Sequence, residues 1–252
     1  MKCRLNKFLA DAGVCSRREA DTLILQHKVK VNDHYVFKLG TLVDPSLDQV
    51  TCQNKLVRIN PKKVYILLNK PKECLSSTKT DQRNLKTVIS IIPGIPERLY
   101  PIGRLDKDTT GALLVTNDGE LTHSLLHPRM KIEKEYKAVV KGNLGPKQLE
   151  LLREGVTLED GLTLPAGIFV NEKHGSIYKI KIILKEGRKR QIKRMFQHVG
   201  AVVIRLHRSK FAGISVGRLK PGEWRFLTRD EIKYLYQLNP VPTVPPQESH
   251  SG

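Results

Sequence analysis

Acidic residues are in short supply in this chain. Its 252 residues carry 25 Asp and Glu against 44 Lys and Arg, a formal net charge of +19 at pH 7. An excess of one sign adds nothing to folding stability, but it attracts polyanions, and nucleic acid is the commonest of them. An anionic membrane is the competing partner. No long basic amphipathic helix and no lipidation signal supports it, and no apolar run approaches the ~20 residues that cross a bilayer. The opening segment, MKCRLNKFLADAG, turns polar within a few residues and does not read as a signal peptide. Cysteine is sparse and scattered, at Cys3, Cys15, Cys52 and Cys74, with no CxxC spacing. This excludes a zinc framework and reads as free thiols in a reducing cytoplasm.

Familiar catalytic loops are missing as well. There is no GxGxxG, no GxxxxGK[ST] and no GxSxG elbow; GISVG at Gly213–Gly217 lacks the Lys-Ser/Thr that completes a phosphate loop. His123 and His127 stand four apart, but HSLLH lacks the glutamate of HExxH and an obvious third ligand. No dinucleotide or nucleoside triphosphate loop is evident, and a metal site at this His pair is not expected.

What is present divides the chain in two, with a tail. In residues 1–60, Leu5, Phe8, Leu9 and Ala12 recur at helical spacing, and Gly13 is a plausible stop. SRRE at Ser16–Glu19 has the form of a capping box opening a second helix. Val29 and Val31 alternate with Lys28 and Lys30, and Asn32-Asp33 suits a tight hairpin. This module is too small to be an enzyme alone. Arg17 and Arg18 fall in the first turn of the second helix, where the macrodipole disfavours cations. Phosphate would offset that cost, and with Arg4, Lys7, Lys28 and Lys30 nearby the module is expected to contact RNA.

RINPKK reads as a linker, and residues 63–238 as a larger domain. Strands are expected at 64–71, 112–116, 136–140 and 176–184, and helices at 119–126, 146–154, 188–199 and 229–236. Without regular βαβ alternation, this implies an α+β domain on a mixed, mainly antiparallel sheet. Residues 239–252, rich in proline, read as a disordered tail.

Two stretches could carry chemistry. In KEGRKRQIKRMFQHVG, Ile192, Met195, Phe196 and Val199 form an apolar stripe; Arg190 and Arg194 fall opposite it, and Lys193 at its edge can reach a cleft. Arg188 adds to the same basic run. In PIGRLDKDTTG, Gly103 and Gly111 bracket a polar loop whose Asp106 and Asp108 are equivalent by spacing. Capping the loop is the plainer role for either acid.

Taken together, PIGRLDKDTTGALLVTNDGEL, KEYKAVV, EGRKRQIKRMFQHVG and VIRLHRSKFAGISVGRLKPGEWRFLT resemble the RsuA/RluB-type ribosomal RNA pseudouridine synthases, and residues 1–60 resemble the S4-like RNA-binding domain of that branch. The resemblance spans about residues 2–235. It implies a base-flipping isomerase that converts a uridine of ribosomal RNA to pseudouridine without a cofactor. It also selects Asp106, the aspartate of GRLD, as the catalytic acid. Tyr136 would stack on the flipped uracil, and Lys193 would pair with Asp106, keeping the carboxylate charged in a dry pocket. Lysine there keeps the charge of an arginine but loses bidentate geometry. Arg104 would hold the displaced nucleotide's place or its phosphate, and Leu206 would wall the base. RLYPIGRLD and GVTLEDGLTLPA lean towards the large-subunit branch. The expected particle is a cytoplasmic monomer that engages neither membrane nor metal. A non-catalytic ribosome-assembly protein is the alternative reading.

Overall fold

The computed structural model describes residues 2–59, 62–78 and 85–238. The expected tail at 239–252 lies outside them. In the N-terminal part, α1 (Leu5–Asp11) and α2 (Arg17–Leu25) pack through Leu5, Phe8, Leu9, Ala20 and Ile24. The Ser16 hydroxyl caps α2, accepting from Glu19 N at 3.2 Å. Strands β1 (Val29–Val31) and β2 (His34–Tyr35) form the expected hairpin; Asn32 and Asp33 sit at φ 49° and 65°, the left-handed pair that a two-residue turn requires. A second hairpin, β3 (Val50–Cys52) and β4 (Lys55–Val57), extends this into a sheet of order β2-β1-β3-β4. Val29, Val50 and Cys52 close its core against the two helices.

The larger part begins with β5 (Tyr65–Lys70), β6 (Tyr100–Pro101), β7 (Thr110–Thr116) and α3 (Gly119–Leu126). It continues through β8 (Lys134–Lys141), α4 (Pro146–Glu154), a small hairpin at 157–162, β9 (Gly167–His174), β10 (Ile177–Leu184) and α5 (Gln191–His198). Strands β11 (Val202–Phe211) and β12 (Trp224–Phe226) and helix α6 (Arg229–Gln237) complete it. The strand order is β9-β10-β8-β11-β7-β5-β12, with β6 beside β7. Only the β11–β7 pairing is parallel among these strands, so the sheet is mixed and mainly antiparallel.

The central strands read as continuous apolar runs because both of their faces are buried. Ile66, Leu68, Leu113 and Val115 face one core with Met195 and Phe196 of α5; Leu67, Ala112 and Leu114 face another with Leu121 of α3 and Leu235 of α6. Gly111 permits the tight β7–β11 approach. Its φ is 110°, and a Cβ there would lie 2.2 Å from the Arg208 carbonyl oxygen.

The helix expected over 188–199 begins only at Gln191. Arg190 caps it at φ 51°, in the left-handed region. The Arg188 guanidinium is drawn instead to the 157–162 hairpin, donating to the carbonyls of Asp160 at 3.0 Å and Gly161 at 2.8 Å, and to that of Leu162. Leaving these cations outside the helix also spares them the positive end of its dipole.

Candidate active site

The loop between β6 and β7 carries the two aspartates. Its turn closes where Thr109 N donates to the Asp106 carbonyl at 3.0 Å. From one side, Ser76 Oγ accepts from Leu105 N at 3.1 Å and donates to Leu105 O at 3.0 Å. From beneath, the fully buried Lys70 ammonium donates to the carbonyls of Pro71 at 2.9 Å, Thr109 at 3.0 Å and Lys107 at 3.3 Å. Burial pushes the Lys70 ammonium below the ordinary lysine range, and the charges nearby, those of Asp106 and Asp108 among them, act against that shift. Sequence reading passed over Lys70. Its one signal is a lysine closing the apolar run YILLN, where a cation has no reason to sit unless carbonyls receive it.

This loop, β8, α5 and β11 enclose a cleft of ≈ 550 Å³. Asp106, Tyr136, Lys193, Arg104 and Leu206, all singled out from sequence, line it together with Ile192 and Thr109. Tyr136 and Leu206 are each 8% exposed, so they present apolar surface at the cleft wall rather than to open water. The Asp106 carboxylate has no hydrogen bond or ion pair with the described residues.

The expected Asp106–Lys193 pair is not formed. Lys193 Nζ makes its ion pair with Asp108 instead. The turn explains the exchange: Asp106 opens it and Asp108 stands two residues on, and Lys193, whose side chain is 14% exposed at the cleft, meets the more exposed of the two carboxylates. Partial burial raises the Asp108 pKa, but the Lys193 ammonium outweighs it, and the net shift is downward. Asp108 is therefore the acid tied to the lysine, and Asp106 is the acid left free to meet a ligand.

A second residue that sequence reading missed lies behind Tyr136. Arg208 faces it across the β8–β11 pairing. Its guanidinium is buried, donates from Nε to the Ala112 carbonyl at 2.7 Å, and sits 4.7 Å over the Phe211 ring. Its Nη2 has no hydrogen-bond partner among the described residues. Burial pulls the Arg208 pKa down, while interaction with the Tyr136 phenol opposes the fall. Beside it, Lys134 is pushed down to about 8, first by burial and then by the Arg208 charge.

The cations expected to meet RNA separate into two groups. Arg194 lies opposite the apolar stripe as expected, but it grips Asp160 through two 2.9 Å hydrogen bonds. Arg188 is spent on the 157–162 hairpin and on Glu186 at 3.1 Å. Lys7 pairs with Asp11 at 2.9 Å and Glu120 at 3.5 Å. A carboxylate or a set of carbonyls within reach engages each of these three, although the buried Arg194 Nε has no partner among the described residues. Arg4, Arg17, Arg18 and Lys28 are exposed. Lys30 lies 4.6 Å over the Tyr35 ring, and Arg190 lines the cleft. Arg17 and Arg18 border a second, shallower hollow shared with Thr78, which closely follows Ser76 of the cleft.

A mixed sheet with an aspartate loop, a tyrosine and an apolar wall around one cleft, preceded by a small helix-and-hairpin module, defines a nucleoside-modifying class of RNA enzyme. Residues 64–198 match the RNA pseudouridylate synthase family and residues 3–48 the S4 domain, and the chain belongs to the RNA pseudouridine synthase family. It is 42% identical over 245 residues to an RNA pseudouridine synthase of Aquifex aeolicus (strain VF5), covering 97% of this chain and 98% of that one. It is 44% identical over 239 residues to the ribosomal large subunit pseudouridine synthase B of Bacillus subtilis (strain 168), covering 93% and 96%. A crystal structure of a pseudouridylate synthase superposes with a TM-score of 0.67 at 31% identity, covering 92% of this chain and 99% of that one. The activity is thus isomerisation of uridine in RNA rather than passive binding. Among the described residues no helix is long and apolar enough to cross a membrane.

Proposed function

We propose that this enzyme converts a uridine of large-subunit ribosomal RNA to pseudouridine, with Asp106 as the catalytic residue. The observation that carries this reading is the meeting of Asp106, Tyr136, Lys193, Arg104 and Leu206 around one cleft, with the Asp106 carboxylate alone among the loop acids unclaimed by a neighbouring side chain. The similarity to a ribosomal large subunit enzyme supports the choice of substrate.

A base inside a helical stack cannot be detached and turned, so the target nucleotide is flipped into the cleft at a cost of a few kcal/mol. Stacking on Tyr136 returns ~1–3 kcal/mol, and Leu206 closes the apolar wall. Asp106 then either attacks the anomeric carbon of the ribose or removes a sugar proton to leave a glycal. On both routes the bond from C1′ to uracil N1 breaks and its electron pair leaves with the base. The base rotates within the cleft and its C5 bonds to C1′; on the first route this displaces the Asp106 carboxylate, and on the second Asp106 returns the proton it took from the sugar. The proton on C5 is then lost and one is gained at N1, with the Tyr136 phenol as a relay that accepts one proton as it gives up its own. Arg208, paired with Tyr136 across the β8–β11 register and anchored to the Ala112 carbonyl, sets a positive charge beside the phenol, and Lys70 holds the aspartate loop from beneath; both are positioning residues. Lys193 acts through Asp108, fixing the rim of the loop, and Arg104 takes the displaced nucleotide or its phosphate.

Residues 1–60 form the RNA-binding domain and 63–238 the catalytic domain. Arg4, Arg17, Arg18, Lys28, Lys30 and Arg190 carry the backbone contacts; Lys7, Arg188 and Arg194 add to the field from within their own ion pairs. The enzyme works as a cytoplasmic monomer. Incubating purified protein with transcribed large- and small-subunit rRNA, then mapping pseudouridine by carbodiimide-blocked primer extension, tests this. The expected result is a stop at one uridine of the large-subunit RNA. Modification confined to small-subunit RNA would refute the substrate assignment.

A further inference from the structure

On the side away from the cleft, α3 and α6 pack over β5 and β7, and the same core reaches the end of β11 at Phe211. Further along, over β8, β10 and the middle of β11, that side is bare among the described residues. Strands β8 and β10 bury Tyr136, Ala138, Tyr178, Ile180 and Ile182 towards the cleft core and turn Lys137, Lys179 and Lys181 the other way. One row crosses five strands: Phe169 faces Lys181, Lys181 faces Lys137, Lys137 faces His207, and His207 faces Thr110. At about 4.8 Å per strand the row is roughly 20 Å long. A neighbouring row runs from Glu172 through Lys179 and Val139 to Arg205.

The placing of charge on this face works against the fold. Lys137 and Lys181 are direct cross-strand neighbours, an arrangement that destabilises a pair of strands. Lys179 finds Glu172 at 2.7 Å, and Glu135 on the same face of β8 attracts Lys181 while pairing with Lys210 at 3.6 Å, but Lys137, Lys181 and Arg205 make no ion pair of their own among the described residues. Blocking of edge-to-edge pairing does not explain them, since β8, β10 and β11 are interior strands. The Phe169 ring is 48% exposed beside them, with the Lys181 ammonium 4.7 Å over its face. Cations without an ion pair among the described residues, Lys137 and Lys181 in one row and Arg205 in the next, beside a half-exposed aromatic ring, match a phosphate backbone and a stacking base. An acidic polypeptide would use the cations and leave the ring without a role.

We propose that this bare sheet face is a second RNA-binding surface, which holds a segment of the ribosomal RNA remote from the target uridine. It rests on the reading of ribosomal RNA as substrate. Two contacts on one long RNA make the second intramolecular, which raises affinity for the whole RNA over that for a fragment.

The test uses the full chain with Lys137→Gln, Lys181→Gln and Arg205→Gln combined, none of which lines the cleft. Binding is measured against salt for three probes: transcribed large-subunit rRNA, a short oligouridylate, and polyglutamate. On the long RNA, loss of three phosphate contacts should lower the slope of log K against log salt by about 2–3 and weaken binding at least about tenfold at low salt. Oligouridylate affinity should not change. Equal slopes for wild type and variant would overturn the proposal, as would an equal loss on oligouridylate. Loss of polyglutamate binding with rRNA binding intact would assign the face to an acidic polypeptide instead. A wild type that binds no rRNA would overturn the substrate reading itself, which separates the two failures. A photoreactive benzophenone amino acid in place of Phe169, with every cation retained, should crosslink to the long RNA; absence of a crosslink counts against the proposal independently of any effect of the triple variant on folding.

Discussion

Replacing Asp106 and Asp108 by asparagine, one at a time, separates chemistry from architecture within a single turn. Asp106→Asn keeps the side-chain shape and breaks no bond within the protein, because the carboxylate has no partner among the described residues. Its effect on stability should therefore stay within about 0.5 kcal/mol, a shift of no more than about 2 °C in the melting midpoint of a chain this size. RNA affinity should be nearly unchanged. Turnover should fall by at least about 10³-fold, or about 4 kcal/mol in the barrier, the scale of losing a catalytic base or nucleophile. Asp108→Asn does the reverse. It breaks the ion pair with Lys193, but the Asp108 side chain is 54% exposed, so solvent screens the pair and its contribution is at most about 1 kcal/mol. Stability should drop slightly, and turnover should fall by about tenfold or less as the rim of the loop loosens. The assay is tritium release from RNA carrying [5-³H]uridine, which reads loss of the C5 hydrogen directly, run beside a thermal melt. An Asp106→Asn enzyme retaining a tenth of wild-type turnover, or an Asp108→Asn enzyme as inactive as it, would refute the assignment of the free carboxylate.

Lys70→Met should lower kcat about 10–100-fold with little change in KM, because the aspartate loop loses its three carbonyl anchors while the cleft wall stays intact; steady-state kinetics reads the split. Lys134→Met should stabilise the protein near pH 7, and the gain should shrink at high pH. With its folded pKa depressed to about 8, the charged lysine burdens the folded state fully below that pH, and the burden is lost between 8 and the ordinary lysine range, where the unfolded chain holds the extra proton. The electrostatic gain is at most about 3 kcal/mol, less the lost hydrogen bond to the Ile132 carbonyl; urea melts of both proteins from pH 7 to 10.5 read it. Arg17→Ala with Arg18→Ala should reduce the salt slope of rRNA binding by about 2 and leave the melting midpoint within about 2 °C, since both side chains are exposed. Phe196→Ala should destabilise by about 3–5 kcal/mol in a urea melt, since its ring is 1% exposed between α5 and the sheet.

Much of the site is legible in the order of residues because local patterns carry it. The apolar stripe of Ile192, Met195 and Phe196 fixes the face of α5, and with it the cleftward course of Lys193. The Ser16 cap and the Asn32-Asp33 turn follow from rules that act over a few residues. Legibility ends where partners are distant in sequence. Nothing near Arg188 or Arg194 announces Asp160, some thirty residues earlier, yet that carboxylate and its neighbouring carbonyls claim both guanidiniums. The helix starts at 191 rather than 188 for the same reason.

The chain's own order of residues carried its family and the sign of its partner, which rest on motifs and net charge, and the resemblance to that family, not spacing, proposed Asp106 as the acid. The tertiary structure alone decided which acid the lysine holds. It also placed a buried cation against the loop and another across the strands from Tyr136, and it set Lys137 opposite Lys181 on a sheet face uncovered among the described residues. Such facts depend on which strands lie side by side and on which face a helix covers, and a pairing between β8 and β11 or between α5 and the aspartate loop joins residues about seventy to ninety positions apart. Periodicity shows that Lys137 and Lys181 point away from their own strands' apolar faces; only the register shows that they point at each other.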